Sequence, residues 1–377
     1  MTRLQDTLWT AERTAIAEAL RNAETVTVSA SEAQSAIDVT RDALRRSPDA
    51  PSVELDFARL RGAEQINGAL IRATVAALTG ERDLLGMHEM TRSREQTRAL
   101  LELRRELGGV LDHPDELPAK AVPATVRSCL GALRRAVPRS GRVAFVVHSA
   151  ERALVDKELE AFMWALRSDL DRGAEVFAVF CGGPAAPEIT TTKKAPFFGW
   201  GAEFALGRPR VDGLTAAVSA SLQRVVPADY AADVTPALVE AGRRCLSVTE
   251  ELVDTVITQY ATDQPLDLGA AWSVLAQRHA NEHRVVLSVV STLHRWAVPV
   301  LQAVAGGRGP YTVPGLYPSA GARALLALRI AGLIDRPSPR QWQLVNPLLA
   351  AWLNSDGEDA AHSVLGNSGV SAGGRAA

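Results

Sequence analysis

Lysine is scarce in this 377-residue chain. Lys120, Lys157, Lys193 and Lys194 are the only four among 41 basic residues, and none lies in the first 119 positions. Any chemistry that needs a lysine near the N-terminus is excluded. Cysteine is as sparse: Cys129, Cys181 and Cys245 are odd in number and far apart, which excludes a disulfide framework and a cysteine zinc site. Long apolar runs are missing, so no segment reaches the ~20 residues that span a bilayer. The N-terminal stretch Met1–Leu20 is amphipathic with acidic residues and lacks a signal peptide's apolar core. These absences predict a cytoplasmic protein with no membrane partner. What is present is ordinary for a globular protein: 47% hydrophobic residues, 22% charged and a net charge of -2. At roughly 100–200 residues per domain, the length predicts two or three domains. The excess of arginine, with abundant alanine, reads as the codon usage of a GC-rich genome.

The first half alternates strand-like and helix-like segments. Strands are expected at Glu24–Ser29, Pro51–Phe57, Arg142–Ser149, Glu175–Cys181 and, more weakly, Ala202–Leu206. The third is a continuous apolar run, as a strand buried on both faces should be. Helical patterns fill the intervals at Asp38–Arg46, Gly62–Leu78, Arg92–Leu107, Ala124–Val137 and Leu154–Leu170. Strands separated by helices imply a parallel sheet with right-handed crossovers. This predicts an α/β domain over residues 1–210. After Pro209 the pattern turns helical, at Leu214–Val225, Pro236–Gln259 and Leu268–Ser291, which predicts a helical subdomain over 211–281. Residues 282–354 read as helix, helix, helix and β-hairpin, the winged variant of helix-turn-helix. The tail 355–377, rich in Gly, Ser and Ala, is expected to be disordered.

The order of elements, with the phrases RVAFVVHSAERAL, EVFAVFCGG, KKAPFFGWGAEFALGRP and the closing VNPLLAAWL, resembles the AAA+ group of P-loop ATPases, of the archaeal and STAND type. The resemblance implies a five-stranded parallel sheet, a helical lid and a C-terminal winged helix. It also implies where a nucleotide site should stand. A P-loop needs glycines to turn backbone N–H groups toward phosphate, a lysine for the β/γ charge and a Ser/Thr hydroxyl for magnesium. Set against G-x-x-x-x-G-K-[ST], the turn after the first strand places Ala30 and Ser35 at the two glycines, Ala36 at the lysine and Ile37 at the hydroxyl. Glu32 and Asp38 add negative charge there. In the family's second acidic motif the strand ends in Asp-Glu, which serves magnesium and the attacking water. His148 and Ser149 occupy those positions, with Glu151 two residues on. A neutral imidazole is a poor magnesium ligand. The expectation is a pseudo-ATPase without a cofactor, acting as a regulatory or scaffolding protein. An alternative is a residual NTPase that uses Glu151 as base with an arginine from a partner subunit.

Other patterns carry less. His279-Ala280-Asn281-Glu282-His283 matches H-x-x-E-H, which on a helix could hold zinc with Glu282 as base. A third ligand is missing downstream, and a solvated helix face is the expected reading. His148 at a strand end could act as a general base, although a hydrogen-bonded histidine in an emptied pocket is the commoner case. Cys181 reads as an inert buried thiol. The mixed charges of Arg92–Arg105 read as a solvated helix face. Over 282–354 seven arginines face two acids, a net +5 that leaves -7 for the remainder. Arg308, Arg323, Arg329, Arg336 and Arg340 are the candidates for nucleic-acid contact. Ala322–Ala331 offers few side chains suited to base edges, so DNA and a protein partner both remain open, as does oligomerisation.

Overall fold

The structure, a computed structural model, describes residues 4–46, 52–60, 62–79, 94–108, 118–136, 142–173, 175–262, 268–339 and 341–354. The expected tail and Arg340 lie outside the described residues. The chain divides into two units, Ala11–Ala205 and Met1–Thr10 with Leu206–Ala377.

The first unit runs α1 (Thr10–Arg21), β1 (Val26–Ala30), α2 (Ala33–Arg45), β2 (Ser52–Asp56), α3 (Ala63–Thr79), α4 (Arg94–Leu107), α5 (Val122–Ala136), β3 (Val143–His148), α6 (Lys157–Leu170), β4 (Val176–Gly182), α7 (Glu188–Thr191) and β5 (Ala202–Gly207). The five strands form one parallel sheet in the order β2-β3-β4-β1-β5. Every residue of β1, β3 and β4 is buried, whereas β2 alternates between half-buried and buried positions and β5 mostly between half-buried and exposed ones. The central strands carry helices on both faces, so apolar side chains are needed on both sides. On one face Phe145, Val147 and Phe180 pack with Leu130, Phe162 and Met163 of α5 and α6. Asp156 caps α6 by accepting hydrogen bonds from the backbone N–H of Glu158 (2.9 Å) and Leu159 (3.2 Å), a contribution of about 1 kcal/mol.

The second unit holds α8 (Val211–Leu222), α9 (Ala228–Ala241), α10 (Leu246–Ala261), α11 (Leu268–Leu293), α12 (Ala297–Ala305), α13 (Pro318–Ile330), β6 (Ile334–Ser338), β7 (Gln341–Leu344) and α14 (Pro347–Asn354). The single helix expected over Pro236–Gln259 is two. Arg243 and Arg244 adopt left-handed backbone (φ 46° and 62°) and separate α9 from α10. Such a conformation costs roughly 1–2 kcal/mol per residue. The Arg244 guanidinium offsets part of it by donating to the carbonyls of Pro209 (2.6 Å) and Arg208 (3.2 Å). The boundary expected at 281/282 falls inside α11, which continues unbroken. Leu275 of α11 belongs to the core of α8–α10, and Leu287 and Val290 belong to that of α12–α14.

After α13 the chain turns at Gly332 (φ 69°), whose N–H reaches the Arg329 carbonyl while that of Leu333 reaches Leu328. A left-handed glycine ends helices in this way. β6 and β7 then form an antiparallel ribbon with Ile334 opposite Leu344. The N-terminal segment joins this unit: Leu4 and Leu8 enter the core of α8–α10, and Trp9 Nε1 donates to the Leu206 carbonyl at 3.1 Å. No helix among the described residues is long and apolar enough to cross a membrane.

Candidate functional site

In an open parallel sheet, ligands bind outside the carboxyl ends of the strands, where the connections diverge. Here that point is the end of β1: the chain leaves it for β2 on one side, and the β4–β5 connection passes to the other.

At this end two residues, Ser31 and Glu32, separate β1 from α2. The helix begins at Ala33, five residues before the sequence pattern placed it. Ala33-Gln34-Ser35-Ala36 contains no glycine to resist helix, and alanine has the highest helix propensity. Glu32 is the N-cap, extended and without a side-chain capping bond. No residue from Val28 to Asp38 takes left-handed backbone. Ser35, Ala36 and Ile37 all lie in the first turns of α2 and are buried, Ala36 completely. Ala30 is buried at the end of β1.

The end of β3 is polar and closely bonded. His148, 2% exposed, makes a 2.9 Å hydrogen bond from Nε2 to Glu54 Oε2 on β2, whose Oε2 also takes two bonds from Arg41. Glu54 is held down to a pKa of about 2, first by the His148 hydrogen bond, against the opposing effect of its burial, and then by the charges of His148 and Arg41. Nδ1 of His148 is buried without a partner. Ser149 is left-handed (φ 53°), and its hydroxyl donates to Asp56 Oδ1 at 3.3 Å. Glu151 follows in a 3-10 turn. It is 3% exposed, with Oε1 accepting the Gly183 N–H at 2.9 Å. Burial raises its pKa to about 7, against the favourable Gly183 bond. A Cβ at Gly182 would stand 1.8 Å from Glu151 Oε2. Cys181, beneath, donates to Thr40 Oγ1 at 3.3 Å, and burial pushes its thiol up to about 12.

No protein-family model matches the sequence, and no curated protein matches it. Solved structures match the fold. A Walker-type ATPase of Pyrococcus abyssi shares 13% identity over 92% of this chain and 95% of its own, with a TM-score of 0.57. The ORC1 protein of Aeropyrum pernix, solved in complex with DNA, shares 14% identity over 94% of this chain and 91% of its own, with a TM-score of 0.47. The ORC2 protein of the same organism, solved with ADPNP and ADP, shares 11% over 95% and 94%, with a TM-score of 0.49.

The fold is AAA+-like, a five-stranded parallel sheet flanked by helices, as in the Walker-type ATPase. Ala30, Ser35, Ala36 and Ile37 lie at the β1–α2 turn, whereas His148 and Ser149 lie at the end of β3, with β4 between the two strands. Glu54, Asp56 and Gly183, which complete the polar cluster, were missed. The alternation of Glu54 and Asp56 with Val53, Leu55 and Phe57 on an edge strand was the available signal.

The arginine candidates do not form one group. Arg308 and Arg323 are exposed. Arg329 is half-buried on α13. Arg336 is exposed but bound to its own ribbon, with Nε and Nη2 on the Pro339 carbonyl and its guanidinium 5.2 Å from the Trp342 ring centre.

His279 and His283 share a face of α11, with ring centres 6.1 Å apart. Both nitrogens of His279 are engaged, Nδ1 with Glu282 at 2.7 Å and Nε2 with Glu251 at 2.9 Å. Burial opposes its protonation, yet the two carboxylates outweigh it and raise the pKa. His283 is buried against Trp352, and burial lowers its pKa to about 4. Among the described residues no cluster of three or more His, Cys, Asp or Glu side chains has the geometry to hold a metal ion.

Proposed function

We propose that this protein has kept the AAA+ fold and lost nucleotide hydrolysis, and that it works in the cytoplasm by contact, as a regulatory or scaffolding component. The observation that carries this reading is the β1–α2 turn. A phosphate cradle needs a wide loop of inward-facing N–H groups, a lysine and a hydroxyl. The two-residue turn runs directly into a helix whose Ser35, Ala36 and Ile37 are packed away from solvent. The acids nearby, Glu32, Glu54 and Asp56, disfavour a triphosphate, and the nearby cation Arg41 is already engaged with Glu54. Calorimetry with ATP and magnesium, joined to a phosphate-release assay, tests it. The expected result is neither micromolar binding nor turnover; a rate of phosphate release that Glu151→Gln abolishes would overturn it.

The competing reading, a residual NTPase with Glu151 as base, is supported by that residue's raised pKa but not by its placement. A base must reach the water it activates. Glu151 is buried, and one oxygen is already spent on Gly183.

The module of α12, α13 and the β6–β7 ribbon is the proposed winged helix. Its net positive charge and the exposed Arg308 and Arg323 support contact with an acidic partner, DNA or protein. The buried face of α13, with Ala324, Leu325 and Leu328 in the core, leaves few side chains to read bases. Sequence-independent phosphate contact is therefore the DNA mode that fits. Gel shifts at increasing salt separate the two partners. Affinity that falls steeply with salt, and falls again in Arg323→Ala, supports DNA; binding to no duplex leaves a protein partner.

A further inference from the structure

The amino-terminal edge of the parallel sheet, opposite the crevice described above, carries a separate depression of about 260 Å³. Thr25, Arg142 and Val176 lie at or just before the starts of β1, β3 and β4 and bring it together. Leu170, Val176, Phe177 and Trp200 supply apolar wall, and Asn22, Thr25 and Arg142 supply polar groups. The cavity thus offers polar and apolar surface side by side, a combination that small-molecule sites use to fix a ligand's orientation.

Three features make this more than a surface dent. First, Arg142 is the only charged residue of the lining among the described residues, and its guanidinium is aimed by a 2.7 Å bond from Nη1 to the Asn22 carbonyl. An arginine has five N–H donors, so most of the fork is left for a ligand. Second, the side chains of Asn22 and Thr25 make no hydrogen bond among the described residues, and both border the cavity. Third, the aromatic wall is fixed in advance. The Arg167 guanidinium lies 3.6 Å from the centre of the Trp200 ring, and Phe197 meets that ring edge-on at 5.4 Å. Arg167 is itself tied to the Pro196 carbonyl at 3.1 Å.

We propose that this cavity binds a small planar aromatic carboxylate. Among the described residues the lining contains no acid to repel an anion. A guanidinium fork matches a carboxylate in two parallel hydrogen bonds, while the indole, Phe177 and the aliphatic floor take a flat apolar body. The volume suits one or two fused rings rather than a nucleotide. The proposal is independent of whether the opposite crevice holds ATP.

Titration of the full-length protein with indole-3-carboxylate, followed by calorimetry and by Trp200-sensitive fluorescence, tests it. The expected result is saturable one-to-one binding, at least tenfold weaker for the neutral indole-3-carboxamide and at least tenfold weaker in Arg142→Gln. Arg142 is exposed, so that variant should fold; a matching circular dichroism melt checks that it does. Thr25→Val should weaken binding several-fold. No saturable binding, or binding that Arg142→Gln and the carboxamide leave unchanged, overturns the proposal.

Discussion

Glu151 and Gly182 compete for one volume: the carboxylate Oε2 stands where the first side-chain atom of any other residue at 182 would be. The other oxygen holds the Gly183 N–H. A side chain from the end of β3 thus closes the space over the end of β4, at the carboxyl ends of the sheet's strands. Gly182→Ala is expected to destabilise the protein by about 2–3 kcal/mol, as overpacking of a tight site does. The double variant with Glu151→Ala should recover most of that loss, because the clash is with one side chain. Chemical denaturation of the double-mutant cycle measures the coupling.

Glu151 also gives stability a pH dependence. Its folded pKa, about 7, lies above the ordinary value of 4.5. A carboxyl with a raised pKa favours the folded state fully below pH 4.5, and that contribution is lost as pH rises through 7. Glu151→Gln should therefore gain on the native protein by about 3 kcal/mol between pH 4.5 and 8, whatever the offset between them. Urea midpoints across that range check it; parallel pH profiles would refute it.

Glu54 works in the opposite sense. Its pKa is depressed to about 2, so its contribution is present above pH 4.5 and disappears as pH falls toward 2. The carboxylate is about one-third exposed, so screening leaves on the order of 1 kcal/mol. His148→Ala should remove most of this acid-side slope, together with the buried unpartnered Nδ1. Acid titration followed by tryptophan fluorescence compares the two profiles.

Trp9 is the last check. Trp9→Phe deletes the bond to the Leu206 carbonyl and keeps most of the ring. The expected cost is about 1 kcal/mol. It should fall on the melting of the α8–α14 unit, since that is the unit Trp9 belongs to. Hydrogen exchange resolved by segment tells whether it does.

Much of this could be read from residues alone. Val143–His148 and Val176–Gly182 announced buried strands because both faces had to be apolar, and the missing glycines and lysine after β1 were visible as text. The α9–α10 break was not. Nothing in Gly242-Arg243-Arg244 signals two consecutive left-handed arginines, since Arg244 is held by the carbonyls of Arg208 and Pro209, and the Arg243 carbonyl by the Arg208 guanidinium, over thirty positions away. The start of α2 was misjudged because a family pattern suggested a loop where alanine preferred helix. Glu54 and Gly183 were invisible as partners because the sheet order, not the sequence, brings β2 beside β3 and sets the end of β4 over Glu151. The position 281/282 lies within α11, whose residues join two cores.

That shared helix has a mechanical consequence. At 1.5 Å per residue, the 26 residues of α11 make a rod of about 39 Å, with no proline and no glycine after Gly269 to bend it. Leu275 is embedded near one end, and Leu287 and Val290 toward the other. A molecule that grips α12–α14 therefore grips a lever, and whatever torque it applies arrives, undamped by any joint, among the helices α8–α10.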